Sequence, residues 1–492
     1  MIDLHALIAE ALSGPEDDPM IRFGEARYSR YWVRSLSDRL EALLVKAGIA
    51  VDAPIGFVAR NRPPFAAALL SLIAHRRSIA MIYAMQSATA IAADIGKLKV
   101  AAVIADAADW SDEAIAAARA TGTLGISLSL DAADVVTVVP GTACRGTHRA
   151  PLDEPGIELL TSGTTGPPKR LPVSYRLIGR SMVGETVTSD AAQANAPRVP
   201  GLVYLPFGNI SGVYTLLPAV ASGRGIVLLE RFTVEAWHAM VRDNRPASIG
   251  LPPAGLRMVL DAGIAKADLA SLRVVNSGTS RLDADLVREF ETTYGIPIVT
   301  SYGATEFAGP VSNMTLAMRE EFGASKLGSV GRPWAGAELR VIDADTCAVL
   351  EPNAPGILEV MAPLSGEEGI RTTDIARIDE DGFLYILGRA DGAIVRGGFK
   401  ILPDVVAAAL ANHPAVFDAC VVPLDDRRLG QVPVAAVELR EGAPRPSEDE
   451  LKAHVREQLY VTHVPTRILI VDRLPRTPSM KVSLVDVVGL FQ

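Results

Sequence analysis

Apolar residues in the first half of the chain alternate between helical spacing and short continuous runs. A helix is predicted to end at Gly48 and a strand to follow over 55–59, and the same order returns with a helix over 64–74 and a strand over 78–82. Alternation of helices with buried strands predicts an α/β domain in which helices cover a sheet. Further apolar runs continue this pattern at 100–105, 203–205, 225–229, 248–250 and 272–276.

The pattern changes in the last third of the chain. From about residue 326 short strands separated by turns are predicted, which indicates a β-rich subdomain. A polar stretch at 388–392 follows, and beyond residue 402 the order becomes helix, strand, strand, helix, strand. We therefore predict an α/β fold with a large layered domain and its β-rich subdomain at 1–390, and a small α+β domain at 391–492.

Composition excludes several classes of protein. The chain has 492 residues, and a prior of roughly 100 to 200 residues per domain predicts more than one domain. The net charge of -9 provides no basic surface for nucleic acid. Cys144, Cys347 and Cys420 lack the spacing of a disulfide framework or a zinc site. Without a leader pattern or a long apolar run, we expect no membrane span and a cytoplasmic protein.

The stretch 161–169 consists of hydroxyls, glycines, prolines and one lysine directly after a predicted strand. Hydroxyls and free backbone N–H groups can surround an oxyanion, glycine permits close approach, and lysine supplies charge. The spacing does not fit the Gly-x4-Gly-Lys-[Ser/Thr] loop of nucleotide hydrolases. A surface turn is the alternative. The candidate phosphate ligands are Thr161, Ser162, Gly163, Thr164, Thr165 and Lys169.

A second polar stretch at 301–306 places an aromatic ring, a glycine, a hydroxyl and a carboxylate close together. Mg²⁺ takes few carboxylates together with phosphate oxygens, so this combination is compatible with a nucleotide site. The alternative is a strand-end turn with a solvated Glu. The candidate residues are Ser301, Tyr302, Gly303, Thr305 and Glu306.

These two stretches and four later ones occur in an order that resembles the adenylate-forming superfamily, which includes acyl-CoA synthetases, peptide-synthetase adenylation domains and firefly luciferase. The later stretches are Arg-Thr-Thr-Asp at 371–374, Gly-Arg-Ala-Asp at 388–391, Arg-Gly-Gly-Phe-Lys-Ile at 396–401 and Leu-Pro-Arg-Thr-Pro-Ser-Met-Lys at 474–481. The resemblance covers nearly the whole chain and implies a mobile C-terminal domain.

The resemblance implies specific roles. Tyr302 would stack on adenine, Thr305 would contact the α-phosphate, and Glu306 would hold magnesium. The loop with Gly278, Thr279 and Ser280 would lie along adenine and the acyl pocket. Asp374 would accept the ribose hydroxyls, and Arg389 would reach the nucleotide. Asp391 would be the hinge, Gly397 and Gly398 would line the thiol tunnel, and Lys481 would be the catalytic lysine.

Three positions in the nucleotide and lysine motifs depart from the family pattern. Ile370 stands where an aromatic residue is common, and Thr373 and Met480 stand where glycine is usual. If Thr373 required a positive φ, its backbone would be strained. Met480 likewise leaves the shape of the lysine loop open.

The segment 204–212 resembles the family's carboxylate pocket, with Asn209 where a histidine or aromatic gate is frequent. Amino-acid-activating domains place an Asp where this chain has Gly208, and a buried ammonium without a counter-charge is costly. We therefore expect a mostly apolar aryl or aliphatic acid with one polar contact. The candidate pocket residues are Asn209, Ile210, Val213 and Phe307, for which core packing is the alternative.

The resemblance implies activation of a carboxylic acid by ATP and Mg²⁺ to an acyl-adenylate, followed by transfer to the thiol of coenzyme A. Loading of the phosphopantetheine arm of a separate carrier protein is an alternative. A catalytically degenerate nucleotide-binding protein is a second alternative, which the departures at Thr373, Met480 and Asn209 keep open.

Overall fold

The computed structural model describes residues 3–84, 86–130, 134–160, 170–183, 199–278, 282, 284–334, 336–362, 369–390, 392–396, 399–426, 429–459, 461–477 and 480–492. The helices are α1 (Leu4–Leu12), α2 (Arg30–Lys46), α3 (Pro63–Ala74), α4 (Ala88–Leu98), α5 (Asp112–Thr121), α6 (Tyr175–Ile178), α7 (Ile210–Ala221), α8 (Val234–Asn244), α9 (Pro253–Asp261), α10 (Ala284–Tyr294), α11 (Leu316–Phe322), α12 (Pro403–Ala411), α13 (Glu448–Gln458) and α14 (Leu484–Gly489).

The strands are β1 (Pro19–Phe23), β2 (Ala26–Ser29), β3 (Ile55–Val58), β4 (Ile79–Ile82), β5 (Ala102–Asp106), β6 (Leu124–Leu128), β7 (Val136–Val138), β8 (Gly156–Leu160), β9 (Arg170–Ser174), β10 (Gly201–Val203), β11 (Ile226–Leu228), β12 (Ser248–Gly250), β13 (Val274–Ser277), β14 (Ile298–Ala304), β15 (Gly309–Asn313), β16 (Arg332–Pro333), β17 (Glu338–Ile342), β18 (Gly356–Met361), β19 (Ile370–Ile378), β20 (Leu384–Arg389), β21 (Ile394–Arg396), β22 (Phe399–Ile401), β23 (Val416–Asp426), β24 (Gly430–Leu439) and β25 (Arg467–Val471).

The first large sheet has the order β7-β6-β5-β3-β4-β8-β9, with a parallel interior and antiparallel edge strands. Its interior strands are buried on both faces, as expected where helices cover both sides of a parallel sheet. Apolar residues of α2 and α3 pack on one face. Those of α4 and α5 pack on the other. This α/β/α layering brings the carboxyl end of β8 to one edge, directly before residue 161.

The second layered unit has the sheet order β12-β13-β14-β15-β16, in which β12, β13 and β14 are parallel. Helices α8, α9 and α10 supply apolar residues to the core beside this sheet. A smaller sheet, β10-β11-β1-β2, joins the N-terminal hairpin to strands from the middle of the chain. Ligands of open α/β sheets bind at the carboxyl ends of the strands, so these ends predict where the site lies.

Two further sheets follow. The antiparallel sheet β17-β18-β19-β20 forms the β-rich subdomain, with its own apolar core. The C-terminal sheet has the order β22-β21-β24-β23, with β25 parallel to β24, and α12 and α13 contribute to its core. The α/β fold class with a β-rich subdomain and an α+β C-terminal unit is therefore confirmed.

Most predicted elements lie within a few residues of the observed ones. The predicted strands 55–59 and 78–82 correspond to β3 and β4, and the predicted helix 64–74 corresponds to α3. The pattern missed the hairpin β1–β2 and the short hairpin β21–β22. Asp391 lies outside the described residues, so the division at 390 and 391 stays a prediction.

Candidate active site

The predicted phosphate loop lies outside the described residues, but both of its flanks are anchored. Before the loop, the main-chain N–H of Leu160 donates to the carbonyl of Gly208 at 3.1 Å. After the loop, Arg170 Nε donates to the carbonyl of Met81 at 2.6 Å, and its Nη2 donates to Asp94 Oδ2 at 2.8 Å. The ends of the loop are therefore fixed at the carboxyl edge of the first sheet. Thr161, Ser162, Gly163, Thr164, Thr165 and Lys169 themselves stay predictions.

The second predicted stretch forms the end of β14 and a 3₁₀ turn over Thr305–Phe307. Gly303 is required by sterics, because a Cβ there would lie 2.3 Å from the carbonyl oxygen of Gly309 on the returning strand. Ser301 precedes this point, and Gly278 faces it from the neighbouring strand, since a Cβ on Gly278 would lie 3.1 Å from Ser301 Oγ. Thr279 and Ser280 lie outside the described residues.

Tyr302 and Asp374, predicted for adenine and ribose, are in direct contact. The Tyr302 hydroxyl donates to Asp374 Oδ2, although 72 positions separate the two residues. Burial raises the pKa of Tyr302 far above its ordinary value, and the negative charge of Asp374 raises it further. The phenol therefore stays protonated and acts as a donor.

Asp374 is held in place by its own sheet. It lies in β19 opposite Arg389 of β20, and its N–H donates to Thr372 Oγ1 at 3.1 Å. Arg389 Nη2 donates to Thr373 Oγ1 at 2.9 Å. Among the described residues, those with positive φ include Met480 but not Thr373. Thr373 therefore fits the extended strand, and the strain considered for this position does not arise.

Lys481 follows a tight loop of the C-terminal domain. Met480 N–H donates to the carbonyl of Thr477 at 2.8 Å, and Thr477 N–H donates to the carbonyl of Lys481 at 2.7 Å. Met480 has a φ of 65°, the left-handed conformation that glycine adopts with little cost. The departure from glycine therefore puts a bulky side chain in a left-handed turn, at a cost of roughly 1–2 kcal/mol.

The loop is tied to its domain by Arg476, which the sequence analysis did not select. Its Nη1 donates to the carbonyl of Met480 at 3.3 Å, and its Nη2 pairs with Asp418 on β23. Glu438 Oε2 on β24 lies 4.0 Å from the same guanidinium. The lysine motif contains Arg476 and offered a signal for it. Asp418 and Glu438 belong to distant strands without any such signal.

The Lys481 side chain is half-buried, and charged groups of the large domain act on it. Burial lowers the pKa of Lys481, and the nearby positive charge of Arg389 lowers it further. The carboxylates of Asp374 and Glu306 act in the opposite direction. The structure thus gathers Lys481, Arg389, Asp374 and Glu306 from segments far apart in sequence. Asp391, Gly397 and Gly398 lie outside the described residues.

The four predicted acyl-pocket residues lie in two places, at the start of α7 and in the turn after β14. Asn209 and Val213 are buried and Ile210 is half-buried, all at the start of α7. Phe307 is buried in the β-rich subdomain core, with its ring centroid 6.4 Å from that of Tyr302. Gly208 is surrounded by uncharged side chains, since a Cβ there would lie 3.6 Å from atoms of Ala59 and Leu160.

The described residues contain neither a ready-made metal site nor a membrane-spanning helix. Within the ranges that the structure describes, no group of three or more His, Cys, Asp or Glu residues could hold a metal ion by itself. In those same ranges no helix has both the length and the apolar character that crossing a bilayer requires.

A family model described as AMP-binding enzyme matches residues 8–365, and one described as AMP-binding enzyme C-terminal domain matches residues 406–481. The chain is 30% identical over 346 residues to 4-coumarate–CoA ligase 1 of Solanum tuberosum, covering 66% of this chain and 63% of that protein. It is 32% identical over 346 residues to 2-succinylbenzoate–CoA ligase of Geobacillus kaustophilus, covering 67% and 68%. The match thus spans just under two thirds of the length of the potato protein.

Solved structures share the fold over the whole chain. ATP-bound MatB from Rhodopseudomonas palustris superposes with a TM-score of 0.81 at 20% identity, covering 100% of this chain and 99% of that one. The o-succinylbenzoate CoA synthetase MenE from Bacillus subtilis, solved with its acyl-adenylate intermediate, has a TM-score of 0.77 at 22% identity, with coverage of 99% and 98%.

Proposed function

This chain belongs to the AMP-binding enzyme family, and on that premise we propose that it activates a carboxylic acid with ATP and transfers the acyl group to the thiol of coenzyme A. The observation that carries the proposal is the position of Lys481. The charges of Arg389, Asp374 and Glu306 all act on its ammonium group, although these residues are distant in sequence. A positive group at that position is what adenylation requires.

In the adenylation step, the substrate carboxylate attacks the α-phosphate of ATP, a new oxygen–phosphorus bond forms, and pyrophosphate leaves. The carboxylate and the α-phosphate are both negative, so they repel each other as the carboxylate oxygen approaches phosphorus. The ammonium of Lys481 offsets this repulsion, and Arg389 adds a second positive charge beside it. Partial burial of Lys481 strengthens its interaction, because fewer water molecules screen its charge.

Tyr302 and Asp374 hold the nucleoside. A carboxylate accepts several hydrogen bonds, so Asp374 can accept from the Tyr302 hydroxyl and from ribose hydroxyls together. The same bond orients the Tyr302 ring for stacking on adenine. Gly303 lets the returning strand approach directly after Tyr302, because a Cβ there would lie 2.3 Å from the Gly309 carbonyl oxygen.

Glu306 is the residue that would hold Mg²⁺. It is exposed at a turn beside the Thr305 hydroxyl, and a single carboxylate suits a cation that takes its other ligands from phosphates and water. Mg²⁺ bound there would neutralise part of the charge on the phosphates.

For the second step, we propose that Asp391 is the hinge between the domains and that Gly397 and Gly398 line the tunnel through which the thiol enters. Rotation would withdraw Lys481, and a thiolate would attack the acyl carbonyl, forming the thioester and expelling AMP. Coenzyme A is the thiol that we propose, since both named relatives are CoA ligases. Their named acids, 4-coumarate and 2-succinylbenzoate, carry aromatic rings, which favours an aryl acid within the apolar class.

The test is carboxylate-dependent exchange of pyrophosphate into ATP, without thiol, across aromatic, aliphatic and amino acids. Exchange with one class of acid supports adenylation, and thioester formation on adding coenzyme A supports the complete reaction. Thioester formation only with a phosphopantetheinylated carrier protein would favour the carrier-loading alternative. If ATP binds but no acid supports exchange, the catalytically degenerate alternative is favoured.

A further inference from the structure

Two buried asparagines near the site differ in how their side chains are satisfied. Asn61 is 5% exposed, and its Nδ2 donates to the carbonyl of Leu205 at 2.9 Å while its Oδ1 accepts from Phe207 N–H at 3.1 Å. Asn209 is 6% exposed, yet its Oδ1 has no hydrogen-bond partner among the residues that the structure describes. Asn61 therefore has a structural role, whereas the side-chain oxygen of Asn209 is available to accept a hydrogen bond from a ligand.

Asn209 occupies the position at which an asparagine usually caps a helix. As the N-cap of α7, its side chain would ordinarily accept from an N–H of the first turn. Here the N–H groups of Gly212 and Val213 instead donate to its main-chain carbonyl at 3.1 and 3.3 Å, and the side chain makes no capping bond. A buried amide oxygen without a partner is unfavourable, so a ligand that supplies a donor would be bound preferentially.

The position of Asn209 indicates which ligand would donate a hydrogen bond to its side-chain oxygen. Its neighbour Gly208 accepts from Leu160, the last described residue before the predicted phosphate loop. On the other side, Tyr214 of α7 lies against Gly309, since a Cβ there would be 3.9 Å from the Tyr214 ring. The start of α7 therefore lies between Leu160 at the end of β8 and the strand that begins at Gly309, next to both stretches that we propose to hold the substrates.

We propose that Asn209 Oδ1 accepts a hydrogen bond from a neutral donor on the substrate, so that the preferred acid carries a hydroxyl on an otherwise apolar body. A cationic donor is disfavoured, because Gly208 supplies no counter-charge and the surroundings are apolar. This inference rests on the proposed function and narrows its substrate class.

The experiment measures kcat/KM for pyrophosphate exchange on matched acids: benzoate, cinnamate and hexanoate against their monohydroxylated forms at each position. We expect one hydroxylated acid to exceed its parent by about 10- to 100-fold, as for a buried polar group that is otherwise unpaired. In Asn209→Leu the ratio should fall to about one, through loss on the hydroxylated acid and gain on the parent. Asn209→Ala serves the same purpose if the leucine variant does not fold.

Asn61→Ser is the matched control, because it removes a buried asparagine whose partners are all main chain. It should lower Tm and affect both acids of a pair equally. Wild-type enzyme that treats every pair alike, or a preference that persists in both Asn209 variants, overturns the inference while leaving the proposed function intact. Failure to activate any acid overturns the proposed function, and the inference with it.

Discussion

The proposed nucleotide site and the loop before Lys481 differ in how they are built. We call Tyr302, Asp374 and Arg389 the floor of that site, and the turn at 477–481 the lysine loop. Tyr302, Asp374 and Arg389 lie on strands of two sheets, and the backbone ladders hold their main chains rigid. Lys481 follows a short turn with one left-handed residue, tied to the C-terminal sheet chiefly through Arg476. In the reaction that we propose, the floor would serve both half-reactions, whereas Lys481 would serve adenylation and then withdraw. Variants of the two regions should therefore differ in which half-reaction they impair.

Replacing Lys481 by alanine should have the largest effect. Loss of an ammonium positioned on developing charge should lower the rate of pyrophosphate exchange by about 100- to 1,000-fold. Thioester formation from supplied acyl-adenylate should stay near the wild-type rate. Lys452→Ala, which removes a lysine that bonds within the same domain, is the control and should leave both rates unchanged. Equal losses in both half-reactions would contradict the role of Lys481.

Asp374→Asn tests the floor. An amide is a weaker acceptor than a carboxylate, so the KM for ATP should rise by about 10- to 100-fold. Because the same ribose belongs to the acyl-adenylate, the second half-reaction should be impaired as well. Rates of both half-reactions, measured against nucleotide concentration, check this. A defect confined to adenylation would remove the distinction between floor and loop.

Arg476→Met tests whether the loop before Lys481 depends on the hydrogen bonds that Arg476 makes to it and to Asp418. Without the contacts to Asp418 and the Met480 carbonyl, Lys481 should lose its alignment, lowering kcat for exchange by about tenfold with little change in the KM for ATP. Arg476→Lys should restore part of the rate. Arg467→Met removes another arginine bonded to a main-chain carbonyl of this domain and is the control. If both variants lose the same activity, Arg476 acts through general stability.

Met480→Gly should have the smallest effect. Glycine removes the left-handed strain but adds freedom to the unfolded chain, so Tm should change by less than about 2 °C. The exchange rate should rise by no more than about fivefold, the equivalent of about 1 kcal/mol of relieved strain. Single-turnover adenylation and a thermal melt together test this. A fall in the exchange rate would mean that the Met480 side chain itself supports the loop.

Much of this architecture follows from local pattern. The alternation of apolar runs predicted β3, α3 and β4, because a parallel strand buried on both faces must be apolar throughout. The motif order predicted the family. The short hairpin β21–β22 was missed because three-residue strands carry too little periodicity to detect.

The sequence by itself determined the alternation of most helices and strands and the family, since local apolar spacing and the order of motifs along the chain carry both. Only the tertiary structure decided that Tyr302 bonds to Asp374, that Lys481 lies beside Arg389, and that Arg476 is held by Asp418. It also decided that one buried asparagine is satisfied and the other is not. Such pairings depend on how separate sheets and domains pack together, and the local spacing of residues does not encode that packing.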